Sequence, residues 1–171
     1  KTTLYDSGVR TPWVVRWPDK VKPNTVNYNL VSSVDIARTF MDLAGAKYGE
    51  TFVGNSFMSM LEDTEVSIRS YAFGEKNWHD FSDRCRYVRD ERFKYIRNFY
   101  PHYPNTPSAD ALRSPVFRKM QVLRDAGKLS PAQMSCFIKP RPVEELYDVV
   151  NDPYELVNLA GRPEYAQDLK R

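Results

Sequence analysis

Cysteine, histidine and long apolar runs are all scarce in this sequence of 171 residues, and each shortage excludes a class of protein. The two cysteines, Cys85 and Cys136, match no zinc-finger or redox spacing, and they leave open one disulfide or two buried thiols. No apolar run approaches the roughly 20 residues of a membrane span, so the sequence predicts no transmembrane helix. The two histidines, His79 and His102, are the whole supply of imidazole for acid–base chemistry.

Hydrophobic and aromatic residues are plentiful by contrast. They make up 42% and 13% of the chain, which is enough for a packed core and too much for a disordered chain. The formal net charge is only +3, which is less basic than a dedicated nucleic-acid-binding protein usually is. The composition therefore predicts a globular domain, with or without an appendage, and no nucleic-acid partner.

The first third of the chain predicts a strand followed by a helix. Residues 12–17 predict a short buried strand that ends in a turn at Pro18. Ser32 and Asp35 form a capping-box pattern, and Gly45 supplies a helix stop. The helix between them is expected to bury an apolar stripe. That stripe comprises Ile36, Phe40, Leu43 and Ala44.

The remaining chain predicts strands with helices between them. Residues 70–75 and 143–149 predict single strands, and residues 84–99 predict a hairpin with its turn near 90–92. Helix starts are predicted at three Ser-Pro or Asp-Pro pairs. These pairs are Ser114-Pro115, Ser130-Pro131 and Asp152-Pro153, the last of which is expected to begin a helix with Leu156 and Leu159 buried. The order of the predicted elements is a strand and a helix, followed by mostly antiparallel strands with helices between them. This order indicates the end of an α/β sheet followed by an α+β subdomain, with the boundary between Leu61 and Ser70.

The opening segment combines a lysine with turn and strand signals. Gly8 lies between a polar turn and a β-branched run, where a positive φ is useful. Pro12 suits the entry of a strand because it needs no ladder donor. A cation just outside a strand end of an α/β protein is well sited to bind an anion. Lys1 is therefore a candidate anion ligand, and spacing alone also allows a solvated lysine.

The segment from Gly74 to Phe81 crowds ionisable and aromatic side chains directly after a predicted strand, which is typical of a ligand-facing loop. An imidazole there can donate to an anionic oxygen or pass a proton to a leaving group. His79 is therefore a candidate catalytic residue, and a surface histidine beside an exposed tryptophan is the alternative. Weaker candidates for substrate contacts are Glu75, Lys76 and Trp78. His102 is expected to be a packing or surface residue.

Basic and aromatic side chains are interleaved along the predicted hairpin. The basic ones are Arg84, Arg86, Arg89, Arg92, Lys94 and Arg97. Such interleaving fits a nucleic-acid platform, but we favour a hairpin with one aromatic core face and one solvated basic face. Alternation assigns the side chains of the second arm to two faces. Phe93, Tyr95, Arg97 and Phe99 are predicted on one, and Lys94, Ile96 and Asn98 on the other.

Five segments together resemble the sulfatases of the alkaline-phosphatase superfamily, in the heparan-N-sulfatase-like (N-sulfoglucosamine sulfohydrolase-like) group. The most specific is 144–160, which resembles the family's E-L-Y-D-x-x-x-D-P-x-E-x-x-N-L-A signature and is interpreted as structural. The opening K-x-x-x-Y-[DE]-x-G-x-R-x-P pattern, the helix at 30–45 and the E-x-x-W-H-D loop also match. So does the R-x-V-R-x-x-x-Y-K-Y-I-x-N hairpin.

The resemblance implies the C-terminal portion of such an enzyme. Residues 1–65 would end the alkaline-phosphatase-like α/β sheet domain, and residues 66–171 would form a small α+β subdomain with an antiparallel sheet. The complete enzyme would hydrolyse a sulfate ester or sulfamate, with Lys1 on the sulfuryl group. His79 would bind the substrate or assist the leaving group.

The nucleophile and the metal are expected upstream of Lys1. The family converts the cysteine of C-x-[PA]-S-R to formylglycine, but Tyr87 and Val88 occupy the third and fourth positions of that motif when it is aligned on Cys85. Cys85 is therefore interpreted as a core residue. A hard cation, calcium in this family, needs clustered oxygen ligands, and the sequence shows no credible acidic constellation for one. The chain is accordingly expected to be inactive alone.

The implied partners are the N-terminal part of the same enzyme and a sulfated saccharide such as heparan sulfate, and a homodimer is compatible with the resemblance. The family analogy implies a periplasmic, secreted or lysosomal-type location. The nearest alternative function is a phosphate or phosphonate monoesterase of the same superfamily. An alternative of a different class is a noncatalytic polyanion-binding module.

Overall fold

The structure is a computed structural model that describes residues 3–170, so Lys1, Thr2 and Arg171 lie outside the described residues. Within that range, one sheet contains β1 (Ala72–Trp78), β2 (Ser82–Arg89), β3 (Phe93–Asn98) and β4 (Glu144–Asp148). The α-helices are α1 (Asp6–Val9), α2 (Val34–Leu43), α3 (Met58–Glu62), α4 (Ala109–Leu112), α5 (Pro115–Asp125) and α6 (Pro131–Met134). Short 3₁₀ helices cover Ser135–Phe137, Pro163–Tyr165 and Asp168–Lys170.

The chain divides into two compact units. We call the first the sheet unit; it comprises residues 3–11, 74–88 and 92–170. The second, the α2 unit, comprises residues 12–73 and 89–91. The opening segment through Thr11 therefore groups with the sheet rather than with the residues that directly follow it.

The sheet has its strands in chain order, β1-β2-β3-β4. β3 and β4 are antiparallel, with Tyr95 opposite Leu146 and Arg97 opposite Glu144. The predicted hairpin at 84–99 and the predicted strand at 143–149 are thereby confirmed. Short turns join β1 to β2 and β2 to β3, because neighbouring antiparallel strands need few linking residues. β3 and β4 are instead joined by a long connection that contains α4, α5 and α6.

β3 has the predicted aromatic core face, because Phe93 is buried in a cluster with Tyr95 packed against it, but the prediction of a solvated basic face is wrong. Lys94, Ile96 and Asn98 have exposed fractions of 0%, 3% and 4%, so the face opposite the aromatic one is buried as well. Ile96 belongs to a core cluster with Leu4, Cys85, Tyr147 and Val149. The alternation itself was predicted, but a lysine on the inner face was not, because burial of a lone ammonium is costly.

The other side of the sheet unit has its own small core. Phe93, Leu146 and Leu159 are buried together, with Tyr165 packed edge-on against Phe93 at a ring-centroid distance of 6.2 Å. Both aromatic residues of β3, Phe93 and Tyr95, therefore contribute to this second cluster. The sheet is consequently covered on both faces, which fixes the register of β3 against β4.

Two helix starts in the sheet unit follow the predicted capping chemistry. The Ser114 hydroxyl accepts a hydrogen bond from the Phe117 N–H at the start of α5. At the start of α6, Ser130 and Gln133 satisfy each other's backbone N–H groups, which is a complete capping box. The buried face of α5 contains Phe117, stacked on Phe137, whereas Val116 is 71% exposed.

The terminal helix predicted from Asp152 does not form. Glu155 has a φ of 54°, which a right-handed helix cannot include. The Asp152 carboxylate instead accepts the N–H groups of Leu156 and Val157. Leu159 is buried as predicted, but Leu156 is 59% exposed. The Asp-Pro signature therefore encodes a turn rather than a helix.

The buried residues of helix α2 are polar, namely Asp35 and Thr39, whereas several of its apolar residues are exposed. Asp35 has an exposed fraction of 0%, accepts the N–H groups of Ser32 and Asn55, and pairs with Arg69. The apolar stripe predicted to be buried faces outward instead: Phe40 is 63% exposed and Leu43 43% exposed. Within residues 3–170, no segment of the α2 unit covers that stripe.

The strand predicted at 12–17 is absent as well. These residues pair with no strand within the described part of the chain. Trp13 is 51% exposed and Val14 89% exposed. A buried strand requires neighbours on both sides for its backbone groups and side chains, and the described residues supply none here.

Gly8 is required for close packing rather than for the positive φ that the sequence predicted. The glycines with positive φ in the described residues are Gly45 and Gly127. A Cβ on Gly8 would lie 2.5 Å from Thr3 Oγ1 and 2.6 Å from the Thr3 carbonyl oxygen. Gly8 therefore lets Thr3 pack closely against α1.

We expect Gly8→Ala to lower the free energy of unfolding by about 1–3 kcal/mol, because the new methyl group meets backbone that cannot rotate away. Chemical denaturation of the purified protein measures the change. Gly161→Ala is the matched control, since a Cβ there meets open space. Equal stability of the two variants would contradict this account of Gly8.

Candidate functional site

The opening segment is held against the sheet unit by its side chains. Lys1, the predicted anion ligand, lies outside the described residues. Leu4 is buried in the core. The Tyr5 hydroxyl donates to Glu145 Oε2 at 2.8 Å, and the Tyr147 hydroxyl donates to the same oxygen at 2.5 Å. Burial and the nearby Glu145 carboxylate raise the pKa of Tyr5, so it stays a proton donor.

The turn between β1 and β2 presents a histidine–aspartate pair. His79 Nδ1 lies 3.1 Å from Asp80 Oδ2, and the side chains are 49% and 35% exposed. Because a carboxylate only accepts, Nδ1 carries the proton and Nε2 is left for a substrate. Asp80 Oδ2 also accepts the Ala109 N–H at 2.6 Å. That backbone hydrogen bond, together with His79, holds the pKa of Asp80 below its usual range.

The other candidate residues lie on β1, which continues to Trp78 where the sequence predicted a loop. Successive side chains of a strand point to opposite faces, so Glu75 and Lys76 have different partners. Glu75 pairs with Arg86 at 2.9 Å, and Lys76 pairs with Asp83. Trp78 is 68% exposed. Glu75 and Lys76 are therefore both committed to ion pairs, and Trp78 is the member of the set with a large uncovered apolar surface.

A small cavity connects the opening segment with β1. Its lining residues are Leu4, Tyr5, Lys76, Cys85, Ile96, Asn98, Asn105, Arg141 and Glu145. Asp83 organises the polar wall by pairing with both Lys76 and Arg141. Burial acts against ionisation, yet the hydrogen bonds from Arg141 and Lys76 keep the pKa of Asp83 below its usual range. The structure thus brings Leu4 and Tyr5 together with Lys76 around one cavity.

Cys85 is a core residue, as the sequence predicted. It is 3% exposed, and its thiol lies 3.2 Å from Asn98 Oδ1 and 3.3 Å from Asp83 Oδ1. Burial raises the pKa of this thiol to about 11, so the thiolate is scarce at neutral pH. Cys85 and Cys136 are both free, which resolves the choice that the sequence left open.

The basic residues of the hairpin are largely neutralised. Arg86 pairs with Glu75, Arg92 with Asp148 and Arg97 with Glu144. Lys94 is buried between two carboxylates. Arg84 stacks on the Phe99 ring at 4.8 Å. This pairing removes most of the positive field that a polyanion-binding strip would need.

His102 packs on two neighbouring tyrosines. Its ring centroid lies 4.2 Å from that of Tyr103 and 6.0 Å from that of Tyr100. It is exposed, as expected for a surface residue packed on aromatic neighbours.

Two features of the site were missed by sequence reasoning. Asp80 was visible as the residue after His79, and an adjacent carboxylate is a known way to orient an imidazole. Arg141 could not have been found, because it meets Asp83 across 58 residues of sequence. Only the fold brings the chain after α6 back to the start of β2.

Within residues 3–170, no group of three or more histidine, cysteine, aspartate or glutamate residues is arranged to hold a metal ion. The side chains of the described residues therefore do not fit a calcium site. No helix of that range is both long enough and apolar enough to cross a membrane.

The sequence matches the family model described as N-sulphoglucosamine sulphohydrolase, C-terminal, over residues 1–115. The chain belongs to this family. The match includes Lys1, the α2 unit and the hairpin that carries His79. Membership confirms the resemblance on which the sequence interpretation relied.

Individual relatives are sulfatases as well. The chain is 39% identical over 171 residues to an ulvan-active sulfatase of Formosa agariphila. The aligned region covers 99% of this chain and 28% of that protein. It is 27% identical over 183 residues to the human N-sulphoglucosamine sulphohydrolase, with coverages of 99% and 36%. The chain thus spans about a third of the length of these relatives or less.

A solved structure has the same fold. It is BT4656 in complex with its substrate D-glucosamine-2-N,6-O-disulfate, which superimposes with a TM-score of 0.61 at 24% identity. The match covers 91% of this chain and 25% of that one. The strand and helix arrangement described above is therefore that of the alkaline-phosphatase-like enzymes, as the sequence predicted.

Proposed function

We propose that this chain is the C-terminal part of a sulfatase that hydrolyses a sulfate ester or a sulfamate on a glycan. The family match over residues 1–115 is the observation that carries the proposal. It is supported by the cavity shared by Leu4, Tyr5 and Lys76, because the same segment begins with Lys1 and the same strand leads to His79. An active site that binds an anion needs such converging cations and donors.

Each candidate residue has a distinct role in this proposal. Lys1 neutralises a sulfuryl oxygen as negative charge builds in the transition state. His79 binds the substrate, or with both ring nitrogens protonated it donates the Nε2 proton to the leaving-group oxygen or nitrogen and keeps the Nδ1 proton hydrogen-bonded to Asp80. The exposed face of Trp78 supplies an apolar surface for a sugar ring. Glu75 and Lys76 act at the edge of the site through ion pairs that a bound substrate can rearrange.

The nucleophile and the metal are assigned to a part of the enzyme that precedes this chain. Cys85 does not suit conversion to formylglycine, because it is buried and its neighbours differ from the modification motif. The described residues offer no calcium cage. A formylglycine nucleophile and a calcium ion held elsewhere in the enzyme would supply attack on sulfur and charge neutralisation.

The exposed apolar side chains of the α2 unit support the proposal that a further domain of the same enzyme packs on it. Its apolar stripe, with Phe40 and Leu43, and its strand-like segment, with Trp13 and Val14, are exposed. Large uncovered apolar patches mark an interface. The relatives are about three times as long as this chain, so the proposed cover is the N-terminal α/β domain of the same enzyme.

The assay that tests this function compares the full-length polypeptide with the isolated chain of 171 residues. We expect the full-length protein to release sulfate from a sulfated saccharide or an aryl sulfate in the presence of calcium. The isolated chain is expected to give no turnover, because its described residues hold neither a metal cage nor an activated nucleophile.

Three results would count against the proposal. Faster hydrolysis of a phosphate or phosphonate monoester by the full-length protein would favour the phosphatase alternative. Salt-sensitive binding of heparin by the isolated chain, with no activity in the full-length protein, would favour a polyanion-binding module. Turnover by the isolated chain would show that the nucleophile lies within it.

A further inference from the structure

Three charged side chains from distant parts of the sequence meet inside the sheet unit. Lys94 on β3 lies 2.9 Å from Asp6 Oδ1 and 3.0 Å from Glu155 Oε1. Its side chain is 0% exposed, and the side chains of Asp6 and Glu155 are 10% and 1% exposed. The Asp6 backbone N–H also donates to Glu155 Oε2. We call Asp6, Lys94 and Glu155 the ion triad.

Stability alone is a weak reason for such a triad. Apolar residues of similar volume often stabilise a fold as well as or better than a buried ion pair, since they carry no desolvation cost. Burial also raises the pKa of Glu155, although Lys94 and the Asp6 N–H oppose that rise. The triad therefore points to a requirement for one defined geometry rather than for tight packing.

The backbone at Glu155 supports that reading. Its φ of 54° lies in the left-handed region, where glycine is the least strained residue. The chain places a glutamate there instead, and strain of this kind persists only where the surroundings fix it. The carboxylate is what distinguishes glutamate from glycine at this position, and both of its oxygens act on Lys94 or Asp6.

The triad acts on the segment that leads from Lys1. Asp6 is five residues after Lys1, and it is the third of three consecutive residues that are anchored by their side chains. Leu4 is buried in the core, Tyr5 is bonded to Glu145, and Asp6 is clamped by Lys94 and Glu155. Asp6 is the first residue of the short helix α1, so its contacts with Lys94 and Glu155 tie this helix to β3 and to the chain after β4.

We propose that the ion triad positions the catalytic lysine: Lys94 and Glu155 fix Asp6, and Asp6 fixes the register of the segment that carries Lys1. This inference rests on the proposed function, because it gives the buried triad a role only if Lys1 contacts the sulfuryl group. It also assigns a role to Glu155 within the C-terminal signature, which the sequence alone presents as structural. Lys94, Asp6 and Glu155 touch no substrate in this account and are positioning residues.

The test uses steady-state kinetics of the full-length enzyme on a sulfated saccharide. Lys94→Met would leave two buried carboxylates without a cation and is prone to unfold, so the variants are Asp6→Asn and Glu155→Gln, which keep shape and remove one charge. We expect each to lower kcat about 10- to 100-fold, as a small misplacement of a reacting group does, with KM little changed. Arg97→Gln is the matched control, because it breaks an exposed pair on the same strand, at 3.4 Å from Glu144.

A double-mutant cycle separates positioning from a merely structural role. In a Lys1→Ala background, Asp6→Asn is expected to cause no further loss of kcat, because the group that it positions is gone. Equal loss in both backgrounds would overturn the inference. So would full activity of a folded Asp6→Asn enzyme when Lys1→Ala is inactive. Full activity of Lys1→Ala would instead overturn the proposed role of Lys1 itself, and the two failures are thereby distinguished.

Discussion

Replacement of His79 by glutamine in the full-length enzyme is expected to lower kcat about 100- to 10,000-fold, the range that a positioned acid–base group contributes. The reason lies in the turn between β1 and β2, where Asp80 holds Nδ1 and leaves Nε2 for the substrate. Glutamine preserves a polar side chain of similar reach but cannot transfer a proton. Sulfate release under saturating substrate measures the effect.

The matched control for this variant is His102→Gln. His102 is the other histidine of the chain, and it packs on Tyr103. We expect its kcat to be unchanged. Asp80→Asn should lie between the two, because it keeps a hydrogen-bond acceptor for Nδ1 but replaces the carboxylate with a weaker, neutral acceptor. Equal activity of His79→Gln and the unmodified enzyme would remove His79 from the mechanism.

Lys1→Ala is expected to lower kcat/KM about 100- to 1000-fold, which is the usual cost of deleting one preorganised donor to a developing anionic oxygen. The physical reason is that the transferred sulfuryl group gains charge on its oxygens, and an ammonium beside them stabilises that charge most in a dry site. Lys1→Arg should recover part of the loss because it keeps the charge but not the geometry.

Initial rates with a sulfated saccharide measure this effect, and Lys119→Ala serves as the control. Lys119 is an exposed lysine on α5, so its removal changes the net charge equally without touching the opening segment. A loss of the same size in both variants would mean that only overall charge matters. Such a result would contradict a direct contact between Lys1 and the sulfuryl group.

Local chemistry explains which parts of the fold the sequence predicts. The α6 capping box and the Ser114 cap form as predicted, because each involves residues three apart and a backbone N–H that must be satisfied. The β2–β3 hairpin forms for a similar reason, since its turn and its alternation are both short-range. The resemblance of several motifs to the sulfatases predicts the family and the overall fold, which no single local pattern determines.

Three of the failed predictions depend on partners distant in sequence. The stripe on α2 and the segment at 12–17 have apolar patterns that require a cover, and the described residues do not provide one. The Asp-Pro turn does not continue into a helix because Glu155 is drawn to Lys94 across more than fifty residues. A pattern of local propensities carries no information about such a tertiary contact.

The residues of the candidate site also fall into those that local sequence predicts and those that depend on contacts distant in sequence. Motif resemblance gives His79 and Lys1, and adjacency makes Asp80 accessible to sequence reasoning. The Asp83–Arg141 pair and the ion triad are invisible until the fold joins β2, β3 and the chain on either side of β4. Lys94 shows the difficulty most clearly, because a lysine in an alternating basic strand is far more often solvated than buried.

The most direct test of the central claim is a crystal structure of the full-length enzyme with a bound sulfated saccharide. The account predicts that Lys1 Nζ and a ring nitrogen of His79 both lie within about 3 Å of oxygens of the same sulfated unit, which is hydrogen-bond distance. It would be contradicted if the amine of Lys1 and the imidazole of His79 faced opposite sides of the molecule, with the sulfate bound by neither.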